Sequence, residues 1–151
     1  MEIYIKLFLF IVVMVPFSLF WHELGHVLGA KLVRATHITI TVGLGKPFFR
    51  RTFNNMTFVV RQFFYFHSLT ETHRNQSLTR KEVMIITILG PVSSLVLSLL
   101  AYGFDKLIMP SMIVYLTFLF NLWIGIINLI PIKFNERQSD GYTILQMLLN
   151  K

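Results

Sequence analysis

Two imidazoles and a carboxylate lie within five residues, His22-Glu23-Leu24-Gly25-His26, and of all the groups in this chain they are the best suited to chemistry. On a helix their spacing sets both rings on one face, one turn apart, so that they converge on a single divalent metal. Glu23, one position on, stays close to that metal without occupying a ligand direction. There it can take a proton from a water that the metal polarises, as that water attacks a carbonyl. Imidazole and carboxylate ligands suit zinc and hydrolysis needs no redox change, so one Zn2+ per chain is expected. The chain has no cysteine, which removes thiolates from the ligand set.

A catalytic zinc takes three protein ligands and keeps one direction open. Asp140 is the best third candidate. It precedes Gly141 and the apolar run Tyr142 to Leu149, and so heads a short terminal helix, where it could ligate the metal or cap the helix. His37, His67 and His73 read as solvated or interfacial groups, and Glu71 and Glu82 as loop and cap residues.

The elements that must hold these groups belong to a membrane protein. Of the 151 residues 54% are hydrophobic and only 14% charged, far from the balance of a soluble domain. Three apolar stretches, 7–30, 83–104 and 109–132, are each long enough to cross a hydrocarbon core of about 30 Å. The first follows Lys6 as a secretion signal would, but it is longer and carries the paired histidines, so it is expected to be retained. Ionisable groups in a spanning segment are costly and usually functional, which sets this motif apart from the same five letters on a soluble helix. Gly25 and Gly29 have the small-x-x-x-small spacing that lets a neighbouring helix approach.

Between the first and second stretches the pattern changes period. In Thr36 to Val42 apolar and polar side chains alternate as in a strand, and Gly43-Leu44-Gly45 interrupts them. Phe48 to Phe53 and Met56 to Phe66 read as two further strands joined through Asn54-Asn55. Ser68 to Ser77 reads as a polar connecting loop, and Thr79-Arg80-Lys81-Glu82 has capping-box spacing ahead of the second stretch. The expected fold is membrane α-helical, a single domain over 1–151, with three spanning helices, a short C-terminal helix and a small membrane-associated β-sheet at about 36–66. An open-edged sheet cannot face lipid at depth, so this one must lie at the surface, against protein or beside water.

The formal net charge of +7 could suggest nucleic acid, but its placement argues for membrane orientation. Nine Lys or Arg residues fall in 31–82 against Glu71 and Glu82, which puts that segment in the cytoplasm with the C-terminus and leaves the N-terminus outside. Nucleic acid is therefore not an expected partner, and headgroups of the lipid bilayer are.

These residues resemble the site-2 proteases, intramembrane zinc metalloproteases that carry an HExxH helix and a later Asn-x-x-Pro…Asp-Gly element. The counterparts are His22 to His26, then Asn128-Leu129-Ile130-Pro131, then Asp140-Gly141. Val42-Gly43-Leu44-Gly45 looks like the glycine-containing edge of that family's membrane-associated β-loop, and Gly90-Pro91 like its second-helix Gly-Pro. The resemblance implies hydrolysis of peptide bonds in or near transmembrane segments of a protein or peptide substrate. It also implies that Val42 to Gly45 present substrate by strand addition, and that Asn128 orients it or stabilises the oxyanion. Asn128 has a second possible duty, a helix-end hydrogen bond beside Pro131. The chain departs from the family pattern at Ser94, where many members have Asn, and in its longer insert Lys133 to Ser139. It looks like a minimal form without a PDZ domain, which leaves room for a regulatory partner.

Two other functions compete: a proteolytically silent relative that binds transmembrane proteins, and a metal transporter. The intact Glu23 favours an enzyme, and polar groups gathered at one depth argue against a transport path.

Overall fold

The computed structural model of the chain describes residues 1–134 and 137–149, and of residues 64–67 and 137 the backbone alone. The His67 side chain and part of the insert 133–139 thus lie outside the described residues. The first helix runs continuously over Glu2–Leu32, longer than the apolar stretch that announces it. It consists of α1 (Glu2–Leu9), a π-helical turn (Phe10–Met14) and α2 (Val15–Leu32). Pro16 lies in the first turn of α2, cannot donate a backbone hydrogen bond, and would crowd the carbonyl of Val12. The wider π turn just before it relieves that crowding.

Helices α3 (Arg80–Leu107) and α4 (Met112–Leu129) follow the sheet. The expected capping box starts α3: the Glu82 carboxylate accepts from the Thr79 N–H at 2.7 Å, and the Thr79 hydroxyl accepts from the Glu82 N–H at 3.4 Å. Among the described residues three helices, Glu2–Leu32, α3 and α4, are long and apolar enough to cross a membrane, which fits a multi-pass membrane protein. α2 and α3 approach closely because Gly25 and Gly29 carry no side chain. A Cβ on Gly29 would lie 2.6 Å from the Ile86 Cα, a distance no packing tolerates.

Strands β1 (His37–Phe53) and β2 (Met56–His73) pair antiparallel through a turn in which Asn54 adopts φ 51°. The second half of β1 pairs with the first part of β2, from Phe53 with Met56 to Pro47 with Arg61. Its first half has partners on both sides: Ile38 to Val42 meet Met56 to Val60, and on the other side Thr72 to Ser68. Across the sheet the order is therefore 68–73, 37–42, 56–60, 47–53. Gly43 and Gly45, at φ 98° and 88°, bend β1 back on itself in a conformation open mainly to glycine.

Two details differ from the sequence reading. The glycines bend one strand where an interruption was expected, and β2 continues to His73 through residues that read as a polar loop. The reason is pairing: Ser68 to Thr72 dock on Ile38 to Val42, of which Ile38 and Ile40 are 0% exposed. Fixing a polar strand on that buried one satisfies its backbone whatever its composition.

The aliphatic core lies beneath the sheet, where Val27, Ala30 and Val33 of α2 meet Ile38, Ile40 and Ile86. Arg74, just past β2, ties this region together by a two-pronged ion pair with Glu82 (2.6 and 2.9 Å) and a bond to the Val33 carbonyl. A two-residue hairpin pairing, β3 (Lys133–Phe134) with β4 (Arg137–Gln138), then turns the chain into α5 (Asp140–Leu149). A Cβ on Gly141 would strike the Leu129 carbonyl, so glycine is what lets α5 lie against the end of α4.

Candidate metal centre

His22 and His26 face inward from α2, 6% and 9% exposed. The His26 Nδ1 lies 2.9 Å from the Ile86 carbonyl. A carbonyl can only accept, so Nδ1 carries the proton and the lone pair is at Nε2. The His22 Nδ1 is hydrogen-bonded to the Ser94 hydroxyl at 2.9 Å, so its Nε2 is likewise the atom turned inward. α3 comes this close because of Gly90, where any Cβ would overlap the His26 ring.

Asp140 enters from α5. Its two carboxylate oxygens lie 3.2 Å from the His22 Nε2 and 3.5 Å from the His26 Nε2, and the two Nε2 atoms are 3.2 Å apart. A tetrahedral zinc with bonds of about 2.0 to 2.1 Å separates its ligand atoms by about 3.3 Å, so the three donors have the spacing of one face of such a site. Lone pairs brought this close repel one another unless a cation lies among them. The donor set fits a zinc ion, and it is the one group of metal-competent side chains found among the described residues.

The sequence left Asp140 two duties, and the structure gives capping to its neighbour. The Ser139 hydroxyl accepts from the Tyr142 N–H at 3.1 Å and donates to the Ile130 carbonyl at 2.6 Å, pinning the start of α5 to the end of α4. Asp140 is left to face the histidines.

Glu23 stands outside the ligand trio. It is 4% exposed, and its Oε2 accepts a hydrogen bond of 2.6 Å from the Thr70 hydroxyl on β2. His22, Glu23, His26, Asp140 and Asn128 all line one cavity of about 630 Å³, walled on the apolar side by Trp123, Ile124 and Ile127. The Asn128 amide donates to the Ile124 carbonyl at 3.0 Å, the helix-end bond that its sequence position allowed.

Val42 to Gly45 do not line this cavity; Ser68, Leu69 and Thr70 do. Val42 is paired with both Ser68 and Val60, so it is an inner residue of the sheet. Among the described residues the sheet edge beside the metal trio is Ser68 to His73. His37 bonds Thr57 at 3.0 Å and, like His73, is not in the trio.

Sequence reasoning missed Ser94 as the partner of His22, Thr70 as the partner of Glu23, and Ser139 as the cap. A signal for Ser94 existed: Gly90, Ser94 and Ser98 recur every fourth residue as a small-residue stripe on α3, all of it buried. Thr70, in a stretch without apolar periodicity, gave no such sign.

The model of peptidase family M50 matches residues 9–110, about two thirds of the chain. This chain belongs to peptidase family M50, the site-2 protease family. M50 members are zinc metalloproteases, in keeping with the donor set above. The matched span takes in the HExxH helix, the sheet and Gly90 to Ser94, whereas Asn128 and Asp140 lie beyond it. Their place beside the M50 motif therefore comes from the fold. No PDZ domain is found in the matched chain, and a search among curated proteins returned no match.

Proposed function

We propose that this M50 protein hydrolyses peptide bonds in or beside the transmembrane segments of membrane proteins, with zinc held by His22, His26 and Asp140. The observation that carries the proposal is the convergence of three donor atoms at 3.2 to 3.5 Å, two from buried imidazoles and one from a half-buried carboxylate, next to a second carboxylate that is not one of them. When bound, zinc supplies Lewis acidity, polarising oxygen and making a water proton easier to remove. Glu23 accepts that proton as the water attacks the scissile carbonyl, then delivers it to the departing amide nitrogen. Ser94 holds the His22 ring in the orientation the site needs, and the Ile86 carbonyl fixes both the orientation and the tautomer of His26. Asn128 has a second amide N–H beyond the one given to Ile124, available to the oxyanion.

Substrate binds extended, because a helix keeps its carbonyls hydrogen-bonded. The outer edge of Ser68 to Thr70, running along the cavity, is suited to receive it as an added strand. The opposite end of the sheet carries exposed Phe48, Phe49 and Phe53 beside Arg50 and Arg51, a composition that suits the bilayer interface on the cytoplasmic side.

The test uses purified protein in liposomes with zinc and a panel of transmembrane peptides. Glu23→Gln is expected to keep zinc and lose cleavage by about a hundredfold or more; a fully active variant would assign the base elsewhere, and a wild type that binds these peptides without cutting them would leave the chain a binder of transmembrane segments. Asp140→Ala is expected to lower bound zinc, and unchanged stoichiometry would remove it from the ligand set.

A further inference from the structure

Glu23 has one hydrogen-bonding partner whose origin matters. The Thr70 hydroxyl reaches it from a different element, 47 positions along the chain, at 2.6 Å. The bond runs from the hydroxyl to one oxygen of a buried carboxyl, Oε2. Thr70 is itself held firmly. It pairs with Ile40, which is 0% exposed and belongs to the aliphatic cluster shared by α2 and α3. The hydroxyl is thus fixed relative to the helix that carries Glu23. Thr70 also lies on the outermost strand of the sheet, in the stretch Ser68 to Thr70 that lines the metal cavity.

We propose that Thr70 is the positioning residue for Glu23, coupling the alignment of the catalytic base to the strand that receives substrate. The inference rests on the hydrolase reading and adds to it a dependence that HExxH does not contain. A free glutamate side chain has several rotamers, and a general base must sit within hydrogen-bond reach of its water. The Thr70 bond selects one of them. An extended peptide added to Ser68 to Thr70 steadies that edge strand further, and through the same hydroxyl it steadies the base. An occupied edge and an aligned carboxylate therefore come together, which favours cleavage of chains that have already unwound.

The test has a geometric and a kinetic arm. The chain is free of cysteine, so Glu23→Cys with Thr70→Cys can be bridged by a short bifunctional methanethiosulfonate in the metal-free full-length protein. Glu23→Cys with Glu71→Cys is the control, since adjacent strand residues point to opposite faces. The 23–70 pair is expected to link several-fold faster, and an extended substrate peptide, uncut by this variant, to change that rate. Equal linking of the two pairs, or a rate indifferent to peptide, overturns the proposal whatever the activity.

In the kinetic arm Thr70→Val removes the donor and keeps the shape. It is expected to lower kcat by about ten- to a hundredfold, with zinc content and KM little changed, and Thr70→Ser to restore most of it. A wild-type kcat in Thr70→Val, or a Thr70→Ser no better than Thr70→Val, also overturns the proposal. A loss expressed as raised KM would make Thr70 only a part of the sheet. If the 23–70 link forms as expected but the wild type cuts no transmembrane peptide, it is the hydrolase reading that fails.

Discussion

Two halves of this molecule are held together by opposite means. Beneath the sheet, Val27, Ala30, Val33, Ile38, Ile40 and Ile86 turn aliphatic side chains inward. Among the long helices, most buried positions away from that cluster are small or polar instead, Ser18, Ser94, Ser98, Thr117 and Asn121 with Gly90 and Gly125, and Ile124 beside the metal cavity is the large aliphatic exception. Many of the large apolar residues there, such as Leu99, Leu100 and Leu119, are exposed. Asn121 donates to the Ser18 hydroxyl and the Thr117 carbonyl, both at 2.8 Å, and Ser98 donates to the Phe118 carbonyl at 3.0 Å. The difference fits a sheet half packed as in water and a helical half suited to lipid. In water, apolar burial drives association. In lipid, acyl chains are as apolar as leucine, so helices are held by close contact and hydrogen bonds. The metal trio lies where the two modes meet: α2 gives Val27 to one, Ser18 to the other, and His22 and His26 to the site between them.

The contrast can be broken at several points. The largest effect is expected from Gly90→Leu, which forces α3 off the His26 ring. Zinc affinity, measured by competition with a chelator, should fall about ten- to a hundredfold or further, and unchanged affinity would mean that the close helix contact is not needed for the site. Next comes Ile40→Ala beneath the sheet, with an expected cost of about 2 to 5 kcal/mol. Limited proteolysis should then cut within 37–73 while the long helices stay intact. Asn121→Leu should cost about 0.6 to 1.7 kcal/mol in reversible unfolding from bilayer mimetics; a gain in stability would show that apolar packing serves the bundle as well as it serves the sheet. The smallest change is expected from Leu99→Ala on the outer face of α3, within about 0.5 kcal/mol, and a loss on the scale of Ile40→Ala would place that face against protein.

The sequence by itself determined the features that depend on neighbours along the chain. Hydropathy and length marked three long helices, Thr79 and Glu82 marked the start of α3, and the four-residue spacing of His22 and His26 set both rings on one face of α2. A helix makes its own hydrogen bonds locally, and for that reason it can be read locally.

Tertiary structure alone decided the rest. It brought Asp140 to the imidazoles, gave its capping duty to Ser139, joined Ser94 to His22 and Thr70 to Glu23, and put Val42 inside the sheet while leaving Ser68 to Thr70 at the edge by the metal. Each of these pairings depends on how separate elements pack. A strand takes its partners from outside itself, so neither its limits nor its edge is contained in its own residues.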